Sequence, residues 1–543
     1  MSGGWTRRRL LRTMLGSSAL MVAGCGRSNG RVPPQGEIVG GSRQRGHRLR
    51  QNLDADLQVA DWKSADVVIV GAGVAGLACS WELRRRGIED LVVLELEDHP
   101  GGTSRGGAAP SSPHPWGAHY LPAPMGENRS LVELLEEMGV VSGYDAGGAP
   151  MYVEEHLCRD PQERLFFNGA WHEDLLPGSI TPEDQAEWLR FRQEIERWVA
   201  WRDDQGRRAF AIPARMSSDA PEVLRLDTIT MQQWLDEQRF RGSVVRWEVD
   251  YACRDDYGTR VDQTSAWAGL FYFASRVNSA GDAPQPLLTW PEGNARLTNH
   301  LAKKLDDRLH TGMAVCRIVP RMVPDEDLQV LAWDQDRERL CGWRAKHVVF
   351  AAPQFVAKYV VQGYARDREA WIGTFSYAPW LVANLQLTAR PRESGFPAAW
   401  DNVLYDSPGL GYVVATHQSG RDHGPTVWTY YRPLCEQEPV EARTWLEGLS
   451  WAEGAELVLQ DLEQAHPDLR PLVQRLDLMH WGHAMVRPVP AFISGAARRE
   501  CSQPYQGVYF AHSDLSGLAL FEEAFDQGLR AASDLHQQMR TVG

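Results

Sequence analysis

Three consecutive features predict an α/β fold for this chain: a short apolar run at residues 67–70, the loop GAGVAG at 71–76, and an acid, Glu95, closing the next apolar run. A continuous apolar run of this length reads as a strand buried on both faces of a parallel sheet. A glycine-rich turn and then a helix complete the opening of a Rossmann-type dinucleotide-binding unit. The acid stands 24 residues past Gly71, where the second strand of such a unit ends. About 480 residues follow the amino-terminal segment, more than one simple core holds. A discontinuous Rossmann-type domain with an inserted α+β domain is therefore expected.

The chain opens with TRRRLLRTMLGSSALMVAGC at residues 6–25. Arg7, Arg8 and Arg9 form a positive region, and residues 13–24 are apolar or small and carry no charge. That core is too short to stay in a bilayer as a spanning helix. TRRRLLR resembles the twin-arginine export signal, with Arg7 and Arg8 as the pair. VAGC resembles a bacterial lipobox, in which Cys25 becomes the lipidated first residue. The plainer alternative is a short basic leader. Residues 26–64, rich in Gly, Arg, Ser and Gln, read as a flexible tether.

In the glycine loop, Gly71 permits the tight turn, Gly73 lets a pyrophosphate approach the backbone, and Gly76 lets the next helix pack close to the strand. That helix is expected over 74–86, with Leu77 and Leu83 buried and Gly87 as its stop. Its amino end aims free N–H groups and partial positive charge at phosphates. A second strand follows at Leu91–Leu94. Glu95 at its end accepts the ribose hydroxyls of an adenosine and repels the extra phosphate of NADP.

After Glu95 the chain reads LEDHPGGTSRGG. Here it resembles the flavin-containing amine oxidase and phytoene desaturase superfamily, which implies FAD as the cofactor. Gly101 and Gly102 match the family's glycine pair along the FAD pyrophosphate. Thr103 stands where an arginine is usual, and Arg105 is the nearby substitute to test. TWPEGNARLTNHLAKKL, at 289–305, is similar to the family's P-x-G-x-x-x-L segment. Val315 opens a stretch like the strand that meets adenine, and KHVVFAAP, at 346–353, resembles the strand returning to the FAD domain. GVYFAHSDLSG and the helix after it resemble the closing flavin motif, in which the resemblance makes Asp514 the holder of the ribityl chain. Glu523 stands where that motif commonly has glycine. Phe521, Ala524, Phe525, Leu529 and Ala532 form a stripe that also reads as core.

On this pattern the FAD-binding domain comprises 65–125, 285–370 and 475–543, and the substrate domain 126–284 and 371–474. In the second, residues 181–202 start with a Thr-Pro-Glu-Asp cap and space Trp188, Phe191, Ile195 and Trp198 on one helical face, a packing stripe or a tunnel wall. Residues 130–138 and 230–238 give two more helices. His119 and Tyr120, in PHPWGAHYLPAP, lie where the family brings chain beside the reacting ring. His119 is either an orienting or basic group or a histidine bonded to backbone at a turn. Trp481 offers an aromatic wall facing the flavin. The strand that carries a lysine in many amine oxidases corresponds here to WLVANLQL, which offers Ala383 and Asn384 instead. DDYGTR, at 255–260, reads as a polar loop without a role.

A formal net charge of −14 argues against a nucleic-acid partner. Apart from Cys25, seven scattered cysteines show no disulfide framework and no paired metal-binding spacing. No metal site is expected, and His480 and His483 read as ordinary polar residues. The chain is thus expected to be an exported, lipid-anchored FAD oxidoreductase of amine oxidase type. It would act on a small molecule and pass electrons to an acceptor that stays open. The rival expectations are a desaturase or isomerase of apolar isoprenoid-like molecules, and a flavin-loaded envelope protein that binds a partner without turnover.

Overall fold

The computed structural model describes residues 34–40, 43–48, 58–177, 180–323 and 326–542. The export signal and Cys25 lie outside the described residues. The apolar run at 67–70 is the buried end of a strand, Asp61–Val70, that begins six residues earlier than that run. It pairs in parallel with Leu91–Leu94 on one side and with Arg339–Phe350 on the other. Leu309–His310 and Val508–Phe510 extend the parallel order at the two flanks. The long strand Arg339–Phe350 also pairs antiparallel, through its first half, with Leu328–Asp334, which pairs in turn with Met313–Val319. These seven strands form the nucleotide-binding sheet expected of the glycine loop.

One face of that sheet is covered by the helix Val74–Arg85 and the closing helix Phe521–Val542. Leu77, Leu83, Phe525, Ala532 and Leu535 share its core with Val67 and Ile69. The stripe read in the closing helix is therefore core packing, with Ala524 and Leu529 at its edge. The other face buries Val68, Val348 and Phe350 against Ala357, Val360 and Tyr364.

A second, eight-stranded sheet is mostly antiparallel, and Tyr377–Leu387 is paired on both sides in it. Its alternation has the period-two form of a strand covered differently on each face. Leu381, Ala383 and Leu385 pack with Leu446, Val458 and Leu462 of the helices Pro439–Gly448 and Trp451–Glu463. Trp380 and Val382 turn the other way, toward the segment that follows the glycine pair. The strand Val473–Val486 pairs along Tyr377–Leu387, so its residues belong to this sheet rather than to the third FAD-domain segment. Ile38 and Val39, read as tether, pair in parallel with Leu478 and Met479.

Helices complete the inserted region. Thr181 caps Pro182–Ala200 by accepting from the Asp184 N–H, and Phe191, Ile195 and Trp198 are buried on its inner face with Trp188 partly covered. The aromatic stripe is packing. Ser243–Tyr257 runs through residues 255–257, so the first half of DDYGTR is the end of a helix, stopped by Gly258 in the left-handed conformation. The polar residues misled because they face a cavity rather than solvent. Among the described residues, no helix is long and apolar enough to cross a membrane, and the seven described cysteines are free.

Candidate active site

The glycine loop lies where the parallel strands end. Gly71 has φ +102°, and Gly76 packs so closely that a Cβ there would stand 1.9 Å from the Gly71 carbonyl oxygen. Gly73 differs: a Cβ on it would meet no atom within 4 Å, because it faces a cavity of about 610 Å3. Gly101, Gly102 and Thr103 face the same cavity, as do Val315, Ala351 and Phe521. Glu95 lies on its wall, 7% exposed. One carboxylate oxygen accepts from the Ala72 N–H at 2.6 Å and the other from the Glu97 N–H at 2.9 Å. Burial pushes this carboxyl above its ordinary range, while the two N–H donors pull the other way. Each oxygen keeps a lone pair for a ribose hydroxyl.

The residues therefore fit FAD: an open glycine at a helix amino end for the pyrophosphate, an acid for the ribose, and a large cavity at the strand ends. Two of the expected contact residues do not line the cavity. Asp514 is fully buried and does not line the cavity. Its Oδ2 accepts from the Gln354 N–H at 2.8 Å and the Tyr377 hydroxyl at 2.7 Å, so it fastens the turn that presents His512 and Ser513 to the cleft. Arg105 also stays outside the lining. Its Nη2 reaches the Met479 sulfur at 3.3 Å and its guanidinium lies 5.1 Å from the Trp481 ring centre. Burial lowers its pKa. It lies against the face of Trp481. Glu523 turns away from the cleft and accepts from the Ala214 N–H at 2.6 Å.

A second cavity, about 130 Å3, shares walls with the first: Thr103, Ala118, Trp481, Ala519, Leu520 and Phe521 line both. Trp481 is fixed there by donating from Nε1 to the Trp116 carbonyl at 2.7 Å. His119 and Tyr120 line the small chamber. His119 stacks on Tyr431 at 4.7 Å between ring centres and stands 5.4 Å from Trp400. Burial pushes its pKa down to about 4, so the imidazole is neutral at pH 7. Tyr120 donates to Asp256 at 3.3 Å, and burial holds its hydroxyl protonated. Trp380 and Val382 form part of the wall. Asn384, offered by the sequence at the lysine strand, is buried and bonds Pro115 and Thr429 instead.

Asp255, Asp256, Arg276, Asn294 and Glu522 also line this chamber, and the sequence reading gave none of them a role. One signal was present. Asp255 and Asp256 end a helix, where carboxylates oppose the helix dipole, so two acids there call for an external reason.

Comparison with known proteins agrees with this geometry. The family model described as flavin containing amine oxidoreductase matches residues 74–536. The probable flavin-containing monoamine oxidase A of Dictyostelium discoideum is 23% identical over 303 residues, which are 54% of this chain and 58% of that protein. Among solved structures, putrescine oxidase bound to putrescine is 16% identical with a TM-score of 0.60, covering 88% of this chain and all of that one. Cyclohexylamine oxidase from Brevibacterium oxydans IH-35A is 17% identical with a TM-score of 0.59 over the same shares. A fatty acid isomerase from P. acnes is 15% identical with a TM-score of 0.63, covering 87% of this chain and 98% of that one. The chain belongs to the flavin containing amine oxidoreductase family, an oxidoreductase whose cofactor is FAD.

Proposed function

We propose that this protein is an exported, lipid-anchored amine oxidase that oxidises a small amine at the carbon beside its nitrogen. The observation that carries the reading is the union of the two cavities along Trp481, Ala118 and Phe521, which sets a small chamber against the cofactor cleft. FAD supplies the hydride acceptor when bound. The chain supplies position and dryness: Trp481, Leu520 and Phe521 wall the junction with apolar surface. Neutral His119, held by stacking on Tyr431, has a nitrogen free of charge to accept a proton or orient the amine. A chamber of about 130 Å3 with three carboxylates in its wall suits a small cation and is unlike the wide apolar tunnel an isoprenoid needs. The amine-oxidising neighbours support the same choice. Export rests on the resemblance of residues 6–25 to a twin-arginine lipoprotein signal. That route carries folded proteins, and a cofactor clasped by distant segments is retained only after folding.

The test uses the chain from residue 26, checked for a flavin spectrum and mixed anaerobically with small amines. Bleaching of the flavin is expected, slowed at least about tenfold by His119→Ala, a loss of ~1.4 kcal/mol in transition-state stabilisation. Unbleached flavin with every amine would overturn the oxidase reading in favour of a partner-binding protein, and an unchanged rate in the variant removes His119 from the mechanism. Replacing Arg7 and Arg8 by lysine is expected to hold the precursor in the cytoplasm. Normal export would defeat the twin-arginine assignment.

A further inference from the structure

The cavity that fits FAD is walled in part by a segment the family match leaves out. Ile38, Val39, Gly40, Gly46 and His47 line it together with Glu95 and Trp481, while the match runs from residue 74 to 536. The sequence reads these residues as tether, yet they are built into the fold. The Glu37 N–H donates to Asp477 Oδ1 at 3.1 Å and its carbonyl accepts from the Leu478 N–H at 2.9 Å, which adds Ile38 and Val39 to the edge of the eight-stranded sheet. The Glu37 carboxylate pairs with Arg475 at 2.5 Å. Gly36 is pressed onto that edge so closely that a Cβ would stand 1.8 Å from the Leu476 carbonyl oxygen. Gly40 takes φ +76°, a conformation open to glycine, and a Cβ on it would stand 2.1 Å from Arg105 Nη2. The helix Arg43–Arg48 is fastened to the nucleotide-binding unit, where Arg45 donates to Asp98 Oδ1 at 2.5 Å, three residues past Glu95. Its His47 stands 3.9 Å from Glu447 of the helix Pro439–Gly448. The segment thus bridges the two sheets along the wall of the cofactor cavity.

Glycine placement and charge both point to what the segment closes on. Gly46 stands inside a helix, where glycine is unfavourable beside alanine. A Cβ on it would meet no described atom within 4 Å, and like Gly73 it faces the cavity. The protein's own packing does not call for a glycine there, whereas a ligand lying against the helix does. In a chain of net charge −14 this helix reads RQRGHR, three arginines and a histidine with no acid, the sign that suits a pyrophosphate. Its fastenings are individually slight. The ladder is two residues long, and Asp98 is 61% exposed, so the ion pair it forms contributes little. Such a segment lifts to admit a cofactor and settles once the cofactor is seated. We propose that residues 36–40 and 43–48 belong to the FAD site as a strap, which closes over the bound cofactor and slows its escape. The two glycine contacts at Gly36 and Gly40 hold the strap to the substrate sheet, and Arg45 ties it to the turn beyond the ribose-binding acid.

The test needs no substrate. The chain from residue 26 is loaded with FAD, diluted, and its release of flavin followed by the fluorescence of the free cofactor, beside a chain that starts at residue 58 and the variants Gly36→Val and Gly46→Phe. The shortened chain and Gly36→Val, which drives the strap off the sheet edge, are each expected to release FAD at least about tenfold faster. Gly46→Phe places a ring in the cavity without meeting a described atom, so it is expected to weaken FAD binding at least about tenfold while the FAD-free form keeps its urea-unfolding midpoint. That variant carries the test should the shortened chain fail to fold. Hydrogen exchange gives a separate readout: FAD is expected to slow the amides of 36–40 and 43–48 in the unaltered chain. Release rates equal to that of the unaltered chain in the folded variants overturn the strap, and so does amide exchange in these residues that FAD leaves unchanged.

Discussion

At the scale of single residues, Gly73 separates the demands of folding from those of the cofactor. A side chain there meets nothing in the protein, so only a ligand's close approach keeps the position small. Gly73→Val is expected to leave the far-ultraviolet circular dichroism unchanged while weakening FAD binding at least about tenfold, ~1.4 kcal/mol. A fully yellow variant would show that the loop does not carry the pyrophosphate. Gly71, Gly73, Gly76 and Glu95 were legible in the sequence because a glycine or an acid at a fixed step from a strand has few other uses. Asp514 and Arg105 lie in the neighbourhood the sequence gave them, and their side chains are engaged by Tyr377 and by Met479 and Trp481. Which way a side chain turns depends on its partners, here Tyr377 and Met479, which stand far off in sequence.

At the scale of elements, the cleft depends on how closely two helices meet. The closing helix lies against Val74–Arg85, and Gly528 sits where a Cβ would stand 2.3 Å from the Ala75 carbonyl oxygen. Gly528→Leu forces the helices apart and is expected to destabilise the protein by about 1–3 kcal/mol in urea unfolding. The displacement moves Phe521 and Ala524 at the cleft wall, so FAD affinity should fall with it. Unchanged stability would mean that the close approach is not needed. The strands and helices of this unit were legible because each announces itself locally, by apolar period and by cap. The end of Ser243–Tyr257 was not, since polarity reads as solvent exposure while Asp255 and Asp256 line a chamber built by other segments.

At the scale of the whole molecule, burial gathers carboxyls that hold protons longer than usual. Glu163, Asp255 and Glu522 are raised to about 7 and Glu523 to about 8, all chiefly by burial. In the unfolded chain such groups titrate near ~4, so between about pH 4 and 8 the folded state holds the extra protons. Their stabilisation is full at the acid end of that window and is lost as pH rises through 7 to 8. Tm of the substrate-free protein is expected to fall between pH 6 and 8.5, with a slope of up to ~1.4 kcal/mol per pH unit for each titrating carboxyl. Glu523→Gln should flatten the upper part of the fall, and a Tm that rises over this range would contradict the burial of these groups. The sequence by itself determined the α/β class and the FAD-binding unit, because strand, glycine turn, helix and acid are neighbours whose spacing is set by local backbone geometry. Only the tertiary structure decided the substrate chamber. Its walls come from residues 119–120, 255–256, 276, 294, 380, 382, 431, 481 and 522, which the two sheets and the inserted helices bring together. No local period records such a convergence, because these residues come from segments spread from 119 to 522 along the chain.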